Sequence, residues 1–124
     1  MTDRTDNFRN NLIEHLRQQL RNFAAERDWD QFHSPKNLAI AIGVESGELL
    51  EHFQWLTAEQ SANLPESELA KVRLELADVF LYLVSLSDKL GVDLVAAAFE
   101  KLEINAKKYP VELAKGSAKK YTEL

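Results

Sequence analysis

Two acidic doublets, Glu45-x-x-Glu48 and Glu75-x-x-Asp78, each sit inside a strongly apolar run that reads as helix. Residues three apart share one face of a helix, so each doublet aims two carboxylates in one direction, into what is otherwise core. Four carboxylates gathered there repel one another and lose their hydration, a cost that a bound cation removes. Mg²⁺ is the simplest resident.

The surrounding pattern is helical throughout. Phe8, Leu12, Leu16, Leu20 and Phe23 or Ala24 recur at helical spacing, with Arg9, Glu14, Arg17 and Arg21 on the other side, which predicts an amphipathic first helix over about residues 6–27. Asp28-Trp29-Asp30-Gln31-Phe32-His33 breaks that period, and Ser34-Pro35 then offers an N-cap followed by proline at the first helical position. The second helix runs on through Leu38, Ile40, Ile42, Val44, Leu49, Leu50 and Phe53, apolar on most of its circumference. Polar residues with Asn63 and Pro65 mark a connection between Trp55 and Ser67. A third helix, again apolar nearly all round, extends from Val72 past Leu86 to Gly91, and a fourth starts from the cap Asp93 and stops near Tyr109-Pro110. A basic tail over about residues 111–124 follows. With no period-2 alternation, the expected fold is all-α, four main antiparallel helices in a bundle. Two helices apolar on so many sides ask for more cover than one small chain supplies, which predicts a homo-oligomer.

Length and charge narrow the rest. A chain of 124 residues fits a single domain spanning 1–124, since domains cluster at about 100–150 residues. A net charge of −5 supplies no field for nucleic acid or an anionic membrane, and a free nucleotide carrying its own Mg²⁺ is compatible with it. Without cysteine there is no disulfide framework, and Met1-Thr2-Asp3-Arg4 lacks a secretory pattern, so a cytoplasmic location is expected. No stretch approaches the roughly 18 uninterrupted apolar residues of a membrane span.

Each buried helix keeps one polar stripe. On the third helix Lys71, Glu75, Asp78, Tyr82 and Ser85 step by four, three, four and three; on the second, Glu45, Glu48, His52 and Trp55 step by three, four and three. Facing the two stripes across a shared cavity is the economical packing. Oxygen ligands alone suit a hard ion, Mg²⁺ or Mn²⁺, better than Zn²⁺, and the Glu-x-x-His motif of diiron bundles is absent from the chain. Acidic residues at this spacing also occur on solvated faces and in salt bridges between subunits, so spacing by itself leaves those readings open.

The order Trp29-Asp30-Gln31-Phe32-His33-x-Pro35-Lys36-Asn37-Leu38, then Glu45-x-x-Glu48-x-x-Glu51-x-Phe53-Gln54-Trp55, then Glu75-x-x-Asp78-Val79-x-x-Tyr82, then Asn105-x-x-Lys108-Tyr109-Pro110 resembles MazG-like nucleotide pyrophosphohydrolases, and most of all their dCTP pyrophosphatase branch. The resemblance runs over about residues 8–123. It implies an all-α nucleoside triphosphate pyrophosphatase, usually a tetramer in this branch, that hydrolyses a triphosphate between the α and β phosphorus atoms to a monophosphate and pyrophosphate. It also implies that Glu45, Glu48, Glu75 and Asp78 hold Mg²⁺; a carboxylate not fully occupied with the metal can accept the proton of the attacking water, and Glu48 and then Glu45 are the candidates for that catalytic role. Trp29 and Trp55 match aromatic residues of the family's base pocket, and His33 falls in a matched loop as a candidate to position Trp29. Asn105 and Lys108 match contacts to sugar or phosphate, while Tyr82, one helical turn beyond Asp78, is placed for its hydroxyl to reach a sugar or a phosphate. Lysine in place of an arginine found in some relatives keeps charge and loses the bidentate fork. The lysines Lys115, Lys119 and Lys120 are candidates to close over a triphosphate or to remain a solvated tail. One departure touches specificity: some dCTP-directed relatives carry histidine nine residues before Trp29, where this chain has Leu20. The expectation is a Mg²⁺-dependent pyrophosphatase acting on dCTP or modified dCTP in nucleotide pool sanitation, with no nucleic-acid or membrane partner. The alternative is a catalytically silent helical module that binds nucleotide or protein.

Overall fold

The computed structural model describes residues 4–124, with side chains for Arg4 and for residues 11–124. The leading Met1-Thr2-Asp3 and the side chains of Phe8 and Arg9 lie outside the described residues. Every regular element among those described is helical: α1 (Arg4–Glu26), a one-turn 3-10 helix (Asp30–Phe32), α2 (Pro35–Glu51), α3 (Ala58–Ala62), α4 (Glu66–Leu90), α5 (Leu94–Lys108), α6 (Val111–Ala114) and a closing 3-10 turn (Tyr121–Glu123). No described helix is long and apolar enough to cross a membrane.

The boundaries follow local chemistry. Ser34 accepts a hydrogen bond from the Asn37 amide at 3.1 Å and Pro35 opens α2, relieving the unpaired amides of the first turn. Gly91 ends α4 in the left-handed conformation at φ 66°, a conformation that costs a residue with a Cβ. Asp93 caps α5 by accepting from Ala96, and Tyr109, ahead of Pro110, closes it. The segment between Trp55 and Ser67, expected as a plain connection, contains α3. There Thr57 and Gln60 form a reciprocal capping box, the Thr57 hydroxyl accepting from the Gln60 amide and the Gln60 carboxamide accepting from the Thr57 amide.

The chain forms two compact units, one ending at Gly91 and the other spanning Val92–Leu124. In the first, α4 packs along α2 and also meets α1. Contacts between α2 and α4 run in opposite residue order: Leu38 shares a cavity with Ser85 and Asp88, Glu45 feels Glu75 and Asp78, and His52 lies 3.7 Å from Glu68. Ala24, Leu38, Val72 and Val84 form the buried apolar set. The other faces of the two central helices stay open: Ile40, Val44 and Leu50 on α2, and Leu74 and Leu76 on α4, are each more than half exposed. One chain therefore covers a single stripe of helices whose sequence is apolar nearly all round.

In the second unit the residues after α5 fold back on its end. Tyr109 meets Tyr121 edge-on at 6.0 Å between ring centres, and the Lys108 ammonium lies 4.7 Å from the centre of the Tyr121 ring. The basic tail thus has an aromatic anchor.

Leu38 is 2% exposed at the seam of α2 and α4, so Leu38→Ala opens a cavity that rigid helices cannot close. The expected cost is about 2–5 kcal/mol in urea unfolding, and a loss below about 1 kcal/mol would show that the seam relaxes around the void.

Candidate metal centre

Glu45 and Glu48 on α2 and Glu75 on α4 each bring a carboxylate oxygen within 4.8 Å of the others. The spacing of three on α2 aligns the first two, and the opposite order of the α2 and α4 contacts brings Glu75 to the same level. The Oε2 atoms of Glu45 and Glu75 are sealed from solvent and have no hydrogen-bond partner. Burial, then the hydrogen bond and charge of Glu48, then the charge of Asp78 and the hydrogen bond with Glu75 push the Glu45 carboxyl up from 4.5 to about 7. Buried oxygens left without donors are the expected state of a site whose missing partner is a cation. The donor set is all carboxylate, the hard chemistry of Mg²⁺ or Mn²⁺, so the residues present fit that ion.

Asp78, the fourth member of the two doublets, stands outside this tight group of three and lines the cavity beside it. That cavity holds about 280 Å³. From α4 it takes Asp78, Leu81, Tyr82 and Ser85, and from α1 Leu20 and Phe23; Trp29 and His33 complete it from the turn between α1 and α2. Trp29 is held edge-on between Phe23, at 5.6 Å, and His33, at 6.4 Å, and is 44% exposed, so its ring is positioned without being packed away. Trp29, His33, Asp78 and Tyr82 are thus assembled around one space next to the carboxylates.

Trp55 is not part of that assembly. The second helix was expected to reach Phe53, carrying Trp55 on the stripe of Glu48 and His52. Instead α2 ends at Glu51, where the amides of His52 and Phe53 bond back three residues, to Leu49 and Leu50, and tighten the chain into turns. Trp55 follows in these turns, 87% exposed, off the helical stripe. At the same end Lys71 donates to Glu68 at 3.2 Å, so the lysine of the α4 stripe is engaged with an acid one turn back. Asn105 and Lys108 share a face of α5 in the second unit, both half-buried, with Lys108 over Tyr121. His15 is exposed on α1.

The sequence reading missed Phe23 and Leu81 as cavity walls, because both sit on apolar periods that look like any core stripe. Two ion pairs were also missed. Arg21 donates to both Asp88 oxygens, at 2.8 and 2.6 Å, and Lys89 donates to Asp30. Partners 67 and 59 residues apart leave no local signal.

A family model described as MazG-like matches residues 40–124, a span that contains both doublets. The chain belongs to the MazG-like family. Among curated proteins, this MazG-like chain is 46% identical over 114 residues to human dCTP pyrophosphatase 1, an alignment that takes 90% of the chain and 67% of the human protein. The bovine dCTP pyrophosphatase 1 is equally similar, at 46% over 114 residues, with 90% of the chain and 68% of the relative covered. The crystal structure of a pyrophosphatase from Archaeoglobus fulgidus superposes with a TM-score of 0.74 at 40% identity, covering 78% of this chain and 91% of that one. The all-helical fold of the MazG-like chain is therefore shared with a pyrophosphatase.

The raised Glu45 carboxyl makes the metal-free fold sensitive to pH. Between 4.5 and about 7 the folded state holds a proton that the unfolded chain has released, so stability falls as pH rises through that window. Metal-stripped wild type should lose Tm relative to Glu45→Gln between about pH 5 and pH 8, and Mg²⁺ or Mn²⁺ should restore it at the upper end. A wild-type-to-variant difference that stays flat with pH would mean that Glu45 is not strained by its neighbours.

Proposed function

We propose that this chain is a Mg²⁺-dependent (deoxy)nucleoside triphosphate pyrophosphohydrolase that hydrolyses the α–β phosphoanhydride, acts on dCTP or modified dCTP, and removes surplus or non-canonical nucleotides from the cytoplasmic pool. The observation that carries the reading is the pair of buried, partnerless carboxylate oxygens on Glu45 and Glu75 beside an aromatic cavity that includes Asp78. Similarity to proteins named dCTP pyrophosphatase 1 supports the substrate class.

Glu45, Glu48, Glu75 and Asp78 would hold Mg²⁺, with Mn²⁺ as a substitute. When bound, the ion offsets the charge of the reacting phosphate and lowers the pKa of a bound water. Glu48, assisted by Glu45, accepts the proton of the attacking water. As the new oxygen–phosphorus bond forms at the α-phosphorus, the bond to the bridging oxygen breaks, and the products are a monophosphate and pyrophosphate. The flat face of Trp29 stacks on the base, with His33 orienting the indole and the Tyr82 hydroxyl bonding to sugar or phosphate. Trp55, Asn105 and Lys108 complete substrate binding on the strength of the family resemblance, the chain working as one domain over 1–124.

The half-exposed apolar faces around Ile40, Val44, Leu74 and Leu76 support assembly of the helical bundle into a homotetramer. The reading needs no nucleic-acid or membrane partner.

Pyrophosphate release should be measured over ribo- and deoxyribonucleoside triphosphates, 5-modified cytosines included, with Mg²⁺ and with EDTA. Metal-dependent release favouring cytosine is expected. Glu48→Ala and Asp78→Ala should each lower turnover by about a hundredfold or more while circular dichroism stays helical. Turnover retained in either variant would remove that residue from the chemistry. Trp29→Ala should raise KM by about fivefold or more, the worth of one base-to-aromatic stack.

A further inference from the structure

The cavity beside Asp78 has walls that the chain must hold together. One is α4, with Asp78, Tyr82 and Ser85; another is the turn that carries Trp29 and His33. Among the described residues the polar tie between that turn and α4 is one ion pair, Asp30 with Lys89. At the neighbouring α4 position, Asp88 takes the bidentate guanidinium of Arg21 from α1. Two adjacent α4 residues of opposite sign thus receive the end of α1 and the turn that follows it. Exchanging partners would set acid against acid and base against base, so the alternation fixes which segment docks where.

The turn is braced by its own hydrogen bonds. Asp28 sits at φ 54°, in the left-handed region, and Gln31 donates to the Asp28 carbonyl at 2.9 Å and to its carboxylate at 3.1 Å. Asn37 donates to the Phe32 carbonyl at 2.9 Å, tying the turn to the start of α2. Adjoining the Trp29 cavity is a second one of about 420 Å³, bordered by Arg21, Asp30, Asp88 and Lys89, and the two cavities share Leu20, His33 and Ser85. The two ion pairs therefore border a space separated from the Trp29 cavity by the shared Leu20, His33 and Ser85. The hydrogen bond and charge of Lys89 hold the Asp30 carboxyl below its usual range, and those of Arg21 hold Asp88 below it, so both carboxylates are ionised at neutral pH.

We propose that Asp30 and Lys89 are positioning residues that set Trp29 against α4 and thereby tune affinity for the nucleotide base, without touching substrate themselves. The proposal rests on the reading that this cavity receives the base. Asp30 is exposed and its pair is screened by water, so the expected effect is graded.

The test compares wild type with Asp30→Asn, Lys89→Met and the charge-exchanged double variant Asp30→Lys/Lys89→Asp, using dCTP with Mg²⁺. Each single variant should raise KM about two- to fivefold with kcat unchanged, and the exchanged pair should restore KM. In a Trp55→Phe background, where Trp29 is the sole indole, Asp30→Asn should also increase acrylamide quenching and the exchange should reverse it. Unchanged KM in both single variants, or a loss that the exchange fails to rescue in folded protein, would overturn the proposal. Wild type without turnover would count against the enzymatic reading alone. The quenching series would then decide the positioning role, and quenching unmoved by Asp30→Asn would end it.

Discussion

Carboxylates crowded between two apolar helices are the constraint on which the structure turns. Water cannot reach the Oε2 atoms of Glu45 and Glu75, no donor meets them, and their neighbours carry the same charge. An arrangement of this kind opposes folding, which is why Glu45 holds its proton up to about 7. A divalent cation turns the same geometry from repulsive to attractive, because each oxygen then faces positive charge at short range. Stability and chemistry are therefore tied to one set of side chains.

The central helix α4 organises what surrounds that set. Glu75 contributes to the carboxylates, Asp78 and Tyr82 stand one and two turns further on in the aromatic cavity, and Asp88 and Lys89 fasten α1 and the Trp29 turn at the far end. Toward the other end, Glu68 meets both Lys71 and His52, closing the seam with α2. The carboxylate cluster and the cavity thus share one helical support, which the proposed function needs if a base and a phosphate are to be held at a fixed separation.

Much of this was legible in the sequence because it is local. Ser34-Pro35, Gly91 and Asp93 mark helix ends through backbone chemistry within four residues, and the doublets announce a shared face through helical spacing alone. Thr57-x-x-Gln60 carried a readable capping signature, overlooked because the polar composition around it suggested a plain connection. Trp55 was misplaced on the α2 stripe for a different reason: spacing arithmetic assumes that the helix continues, and the tightened turns after Glu51 break it. Arg21–Asp88 and Asp30–Lys89 were beyond sequence reasoning, since charges that far apart in the chain have many possible partners and only the packing selects one. The apolar circumference of α2 and α4 was visible in the residues, and a single chain leaves much of it uncovered.

The most direct test of the metal centre is calorimetric titration of metal-stripped protein with Mn²⁺ near pH 7 in two buffers of different ionisation enthalpy. Saturable binding whose heat depends on the buffer, with proton release that disappears in Glu45→Gln, is the predicted result, because the ion must displace the proton that Glu45 holds. Binding absent from wild type, or unaltered in Glu45→Gln and Glu75→Gln alike, would contradict the assignment of these carboxylates to a cation.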